Sequence, residues 1–345
     1  MRRFLLAIAL AALCALPLKA ADDSAGAEFS PKEMVMEHVA DSYRWEITHA
    51  GGRDIAIPLP VIVRGSGGWD VFLSGRLYPA GTKYRGYYIA TEGKYKDKIV
   101  EDVAGGQSRP LDISLTKTAC GIILALLVVM CVFLATACYY KRHNEVDYAP
   151  RGLAGIMEWQ IDSLLEGVIK PCVGSNYMKF APYLLTAFFF IFTANLLGLI
   201  PFFPGGANVT GNITVTFFMA LATFLAVNLF GKKHYYKDIF WPDVPVFLKA
   251  IPIMPLIEII GMFTKPFALM IRLFANILAG HSIILSICSI IFVTVHLGAA
   301  VNASMTGVSL FFMIFMNFLE LLVAYIQAYV FTMLSSVFIG LAQEE

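Results

Sequence analysis

Charge is scarce in this sequence. Of its 345 residues, 15% are Asp, Glu, Lys or Arg while 58% are hydrophobic, and the mean hydropathy is +0.69. Soluble domains carry roughly a quarter charged residues, so composition excludes a soluble globule and points to a polytopic membrane protein. With a formal net charge of +1 and no long basic block, the electrostatic footprint of a nucleic-acid binder is missing too. Cysteine is thinly spread: Cys14, Cys120, Cys131, Cys138, Cys172 and Cys288 include no pair at the close spacing of a zinc or redox motif. None lies between residues 21 and 112, so that segment is expected to fold without disulfides, and the later cysteines read as small apolar helix residues. His38, His49, His143, His234 and His296 are dispersed without metal-ligand spacing, and no glycine-rich phosphate loop occurs. No cofactor or metal is expected.

What is present begins with Met1-Arg2-Arg3, an apolar run from Phe4 to Leu18, and Lys19-Ala20-Ala21. This pattern is that of a secretory leader over residues 1–20; lipidation at Cys14 fits it less well, because bulky Leu13 precedes the cysteine. From 21 to 112 the composition is ordinary, with turn signals at Gly51-Gly52, Gly65 to Gly68 and Ala80-Gly81. Alternation in Trp69 to Ser74 and in Lys83 to Ile89 predicts short strands, after a helical stretch near Pro31 to Tyr43. We expect a small β-containing domain on the exported side of the membrane.

Thr118 to Tyr140 is uncharged and long enough to span a bilayer, which takes roughly 20 apolar residues. Lys141-Arg142 follow at once, a cytoplasmic flank that agrees with an exported N-terminus. Arg151 to Lys179 mixes apolar positions with Glu158, Asp162, Glu166 and Lys170 at helical spacing, as in a helix lying along the cytoplasmic interface. Between Lys179 and Lys232 no side chain is charged, and Pro201 to Gly206 breaks this stretch into a hairpin of two spans. Between Lys265 and Glu344 the only formal charges are Arg272 and Glu320, within two apolar stretches separated by Gly298 to Gly307. Each exceeds a simple span, which predicts two long, tilted helices. The fold class is thus an all-α polytopic membrane protein of about five crossings, with an interfacial helix and a small N-terminal domain containing β-strands. An odd number of crossings puts the C-terminus in the cytoplasm.

Ionisable residues at bilayer depth are expensive and usually face a cavity or partner. Position alone leaves Arg272 open to snorkelling toward an interface, with Lys265 about two turns away, and Glu320 open to a buried structural pair. Helical spacing adds information. At about 100° per residue, Asn276 stays near the Arg272 stripe, whereas His281, nine residues on, falls on nearly the opposite face. Glu320 and Gln327, seven apart, share a face of the last helix, with Asn317 and Ser335 flanking it. A polar stripe of this kind is what an ion path requires.

Lys265-Pro-Phe-Ala-Leu-Met-Ile-Arg272-Leu-Phe-Ala-Asn276-Ile-Leu-Ala-Gly280-His281 resembles the arginine helix of the F-type ATP synthase subunit a family. Glu320 to Phe331, with Gln327 inside it, resembles that family's last helix, and Asn195 to Pro201 with Thr210 to Thr216 resemble its hairpin. The resemblance covers roughly Met157 to Leu341. It implies a membrane domain over 113–345, preceded by an extension over 21–112 outside the common core. It further implies a non-catalytic, ion-conducting subunit in a bacterial inner membrane, whose partners are the c-ring, the subunit b peripheral stalk, the remaining ATP synthase subunits and the bilayer. Arg272 would face the ring carboxylates, expelling their protons and blocking a direct leak, because arginine stays charged. His281 and Glu320 would line the inlet half-channel, Gln327 and Asn276 would supply neutral hydrogen bonds near the arginine, and Glu258 would belong to the outlet. Some members carry an acid where His281 stands and a histidine where Glu320 stands, so the pair is exchanged here. Proton and sodium both remain open as coupling ion, since the ring holds the selective ligands.

Two other classes compete. A secondary transporter would use Arg272 and Glu320 as a gating pair, but such folds carry internal repeats and none is visible between the halves of this chain. A membrane-anchored receptor would make no use of either buried charge.

Overall fold

The computed structural model describes residues 41–50, 53–103, 106–142, 150–200, 205–240 and 253–343. The expected leader and nearly all of the expected helix at 31–43 lie outside them. The protein is mostly helical, with an N-terminal region of small sheets.

That region holds three antiparallel sheets: β1 (Arg44–Ala50) with β2 (Arg53–Pro58); β3 (Pro60–Gly65) between β4 (Gly68–Leu73) and β8 (Leu111–Asp112); and β6 (Ile99–Val103) between β5 (Tyr87–Ile89) and β7 (Gly106–Ser108). In β3 the side chains alternate as a half-buried strand must, with Val61 and Val63 buried. They join Tyr43, Phe72, Leu77, Tyr87, Ile89 and Ile99 in one core. Gly65 pairs with Gly68 across a two-residue loop, and Gly68 takes a φ of 115° that a side chain would resist. The turn read from Gly65 to Gly68 and the strand read at Trp69 are therefore present. Of the strand read from Lys83 to Ile89, only β5 forms.

The helices follow: α1 (Lys117–Arg142), α2 (Leu153–Leu164), α3 (Lys170–Val173), α4 (Tyr177–Leu199), α5 (Ile213–Phe230), α6 (Lys233–Phe240), α7 (Ile253–Val293) and α8 (Ala299–Gln343). Among the described residues, five helical stretches are long and apolar enough to cross a membrane: α1, the run from α2 through α4, α5, α7 and α8. The segment read as one interfacial helix over 151–179 is broken instead. A π-turn at Leu165–Ile169 and a tight turn at Gly174–Asn176, where Gly174 has φ 76°, separate α2, α3 and α4.

The two last helices dominate the membrane part. With 41 and 45 residues they run about 60 and 70 Å at 1.5 Å per residue, twice a hydrocarbon core of about 30 Å, so they cross at a tilt. The connection expected over Gly298 to Gly307 is shorter than that. A 3-10 turn over Thr294–Leu297 and Gly298, at φ 101°, make the connection, α8 starts at Ala299, and the Thr294 hydroxyl donates to Asn302 Oδ1 (2.9 Å) across it. Gly307 is simply a helix residue. The aromatic run Phe188 to Phe190 is packing surface: all three are buried with Leu269 and Leu273 of α7 and Ala328 and Phe331 of α8.

Candidate functional site

The site is carried by the middle of α7 and α8. Arg272 sits close to the centre of the first and Glu320 close to the centre of the second, so in helices crossing a bilayer both lie at hydrocarbon depth. α7 turns two faces to different surroundings. On one, Arg272 and Asn276 are exposed, as are Ala268, Ala275 and Ala279 around them. Among the described residues the guanidinium has neither an ion pair nor a hydrogen bond. On the other, His281 turns inward, and its Nδ1 shares a 2.6 Å hydrogen bond with Glu320 Oε1. Their side chains are 15% and 4% exposed.

Close approach of the two helices makes this contact. Gly280 lies directly under the carboxyl: a Cβ there would stand 3.0 Å from Glu320 Oε1. Glu320 Oε2 is buried and has no hydrogen-bond partner among the described residues. A charged carboxylate so placed needs a cation to offset its desolvation, and the imidazole in contact with it is the group able to supply one. Imidazolium with carboxylate, and imidazole with carboxylic acid, are two arrangements of one proton across this 2.6 Å contact.

Seven residues along α8, buried Gln327 donates from Nε2 to the backbone carbonyl of Arg272 at 2.7 Å. Gln327 thus braces the helix carrying the arginine, and its hydrogen bond goes to the main chain rather than to the guanidinium. The two residues expected to flank the stripe do not extend it. Asn317 is exposed and donates to Met313 of its own helix (2.9 Å), while Ser335 is buried and meets Thr223 of α5 at 3.2 Å. Glu258 is exposed on α7, fourteen residues before Arg272, or about 20 Å along the helix, and is not brought to the pair.

Sequence reasoning missed the support behind His281. Asn195 of α4 is buried, accepts from the Thr210 hydroxyl at 2.6 Å and donates to the carbonyl of Ala324 at 3.3 Å, one turn from Glu320. A Cβ on Gly198 would lie 3.8 Å from the carbonyl oxygen of Ala207 and 4.0 Å from His281 Nε2. Gly198 of α4 therefore lies between the hairpin loop's Ala207 and the imidazole nitrogen that Glu320 does not hold. The polar residues Asn195 and Thr210 within an uncharged stretch were the available signal.

The chain that carries this exposed cation and this acid–imidazole pair is similar to known proteins of one family. The ATP synthase A chain family matches residues 122–340, more than half of the chain. The chain belongs to that family. It is 45% identical over 236 residues to "ATP synthase subunit a 2" of Chlorobaculum tepidum, covering 67% of this chain and 64% of that protein. It is 39% identical to "ATP synthase subunit a" of Chloroherpeton thalassium, covering 67% of each. It is 36% identical to "ATP synthase subunit a" of Myxococcus xanthus, covering 70% of this chain and 77% of that one. The chain thus spans about two thirds of the length of the first of these relatives. A second family, described as a Domain of unknown function (DUF8433), matches residues 34–114, outside the stretch matched by the ATP synthase A chain family. As a member of that family with five apolar helices, the chain is a multi-pass membrane protein.

Proposed function

We propose that this chain is the stator subunit of a rotary ATP synthase that passes protons, or sodium ions, to and from a ring of carboxylate-bearing subunits. The observation that carries this reading is the exposed Arg272 at mid-helix, without an ion pair or hydrogen bond among the described residues. A permanent cation at that depth costs several kcal/mol unless something outside the chain offsets it, and a ring carboxylate is such a partner. The small residues Ala268, Ala275 and Ala279 around it let another helix approach closely.

In this reading an incoming ion reaches the His281–Glu320 pair from one side of the membrane. The pair passes a proton to a ring carboxylate, which then turns into lipid as a neutral acid. At the end of a revolution the carboxyl meets Arg272, whose charge favours the ionised form, and its proton leaves toward the opposite side, where Glu258 is assigned to the outlet. Arg272 also separates the two half-channels, because it neither releases nor relays a proton. Asn276 gives a neutral polar partner on the arginine face, and Gln327 holds the backbone beneath it. Each unit charge crossing is worth roughly 2.3 kcal/mol per 100 mV, so several must pass for each ATP made on other subunits.

The leader (1–20), exported domain (21–112) and membrane domain (113–345) belong to the same proposal, as does a location in a bacterial inner membrane with the N-terminal domain in the periplasm. Cationic residues support the orientation, Lys141 and Arg142 ending α1, Lys232 preceding α6 and Lys233 opening it. The Lys232 amide donates to the carbonyl of Ala342 at 2.9 Å, which puts the end of α8 on that same cationic side. The test is purification of the tagged chain from native membranes. We expect a ring of small hairpin proteins, a peripheral stalk that includes subunit b, and ATPase activity to come with it; a chain that purifies alone in mild detergent contradicts the reading.

A further inference from the structure

Five consecutive residues tie the N-terminal domain to the membrane part. Asp41 Oδ1 accepts from the Thr118 amide (3.0 Å) and so caps the first turn of α1, while the carbonyl of Ser42 accepts from the Lys117 amide (2.9 Å). Tyr43 donates to Asp112 on β8 at 2.5 Å and is buried in the domain's core. The Arg44 guanidinium lies over the ring of Tyr78. Trp45 stays in β1 with its backbone but sends its side chain out of the domain: 5% exposed, it packs in the membrane core with Ala125, Ala207 and Val209, and its indole N–H donates to the carbonyl of Gly205 at 3.1 Å. This contact joins residues 160 positions apart and lands on the hairpin loop whose Ala207 faces His281 across Gly198.

That loop is held from three sides. Trp45 fixes Gly205; Gly121 of α1 lies so close that a Cβ would meet Val209 at 2.7 Å and Ala207 at 2.8 Å; and Thr210 is anchored through Asn195 to α8. Ala207 in turn shares with His281 Nε2 the space left by the missing side chain of Gly198.

We propose that the N-terminal domain acts on ion uptake: Trp45 is a positioning residue that clamps the 205–212 loop against His281, and the domain matched as one of unknown function sets how readily an ion reaches the His281–Glu320 pair. This inference rests on the reading of that pair as the inlet. The loop and the adjoining turn of α4, from Asn195 to Leu199, carry no titratable side chain, and α8 places Glu320 on the imidazole. Moving the loop therefore alters access and hydration without adding or removing a charge. Loosening the clamp changes how much ion half-saturates the pair more than it changes the saturated rate.

The experiment uses the assembled complex in inverted vesicles. Synthesis rate is measured against coupling-ion concentration on the side of the N-terminal domain, for the unmodified protein, Trp45→Ala, Trp45→Phe and Gly121→Ala. Trp45→Ala frees the loop from the domain, and Gly121→Ala pushes it from α1. Both are expected to shift the half-saturating concentration by about three-fold or more, the range a lost or strained hydrogen bond produces, with a smaller change at saturation. Trp45→Phe keeps the ring and loses the N–H, and should fall between. Half-saturation unchanged in both alanine variants overturns the proposal, whatever happens to the saturated rate; if Trp45→Ala does not assemble, Trp45→Phe and Gly121→Ala decide on the same criterion. An Arg272→Ala complex run alongside separates the two ideas, since normal synthesis there removes the inlet reading itself.

Discussion

On one face of α7, Arg272 and Asn276 stand exposed among small side chains; half a turn round the helix, His281 is closed against Glu320 at 2.6 Å. At its middle the same helix thus carries an arginine with no partner among the described residues and a histidine paired within the chain. On the proposed function, a self-contained pair can hold and exchange a proton wherever the rotor stands. An open cation acts only when a partner of opposite sign comes past. Placing the two functions on opposite faces keeps a fixed charge away from a mobile proton, and this separation is what a coupled, non-leaking path needs.

Substitutions that erase the difference between the faces should do the most damage. Arg272→Lys keeps the sign but replaces a rigid, always-charged fork by a compact ammonium that can lose its proton when buried. Ion-driven synthesis in vesicles should fall about 100-fold or more, as when a preorganised charge at a reacting group is lost. On the paired face, His281→Glu sets two acids against each other and should be severely impaired. The double exchange His281→Glu with Glu320→His restores one acid and one imidazole and should return synthesis to within about ten-fold of the unmodified rate, a coupling read by a double-mutant cycle. Additive loss would show that the two residues act separately. A milder blow falls on the packing between the faces: Gly280→Ala puts a methyl 3.0 Å from Glu320 Oε1 and should cost about 1–3 kcal/mol, visible as a lower melting temperature of the purified complex and slower synthesis. Gln327→Leu removes the brace on the Arg272 carbonyl and should cost about 1 kcal/mol in the same melting assay. Asn317→Ala should change neither stability nor synthesis by more than about 0.5 kcal/mol, because among the described residues its side chain bonds only to its own helix at Met313.

Much of this arrangement was legible before any coordinates. The charge-free runs yielded the long helices, since few structures other than a helix keep a peptide backbone satisfied in lipid. Counting at 100° per residue correctly set His281 opposite Arg272 and put Glu320 and Gln327 on one face. The same counting went wrong for Asn317 and Ser335, because angular nearness along one helix says nothing about which neighbour packs there: α5 takes Ser335, and Asn317 turns outward. Gln327 is expected to hydrogen-bond near the arginine, and it does so on the Arg272 backbone carbonyl, an acceptor that a residue alphabet does not show. The bond from Trp45 to Gly205 had no signal at all. It depends on how a β-domain lands on a hairpin loop 160 residues away, a tertiary outcome that no local period encodes.

The central claim, that Arg272 works on a partner outside its own chain, is tested most directly by Arg272→Ala in complexes shown to be fully assembled. The account predicts ion-driven ATP synthesis at background and a passive ion leak above that of the unmodified enzyme. Synthesis at the normal rate in that variant would contradict it.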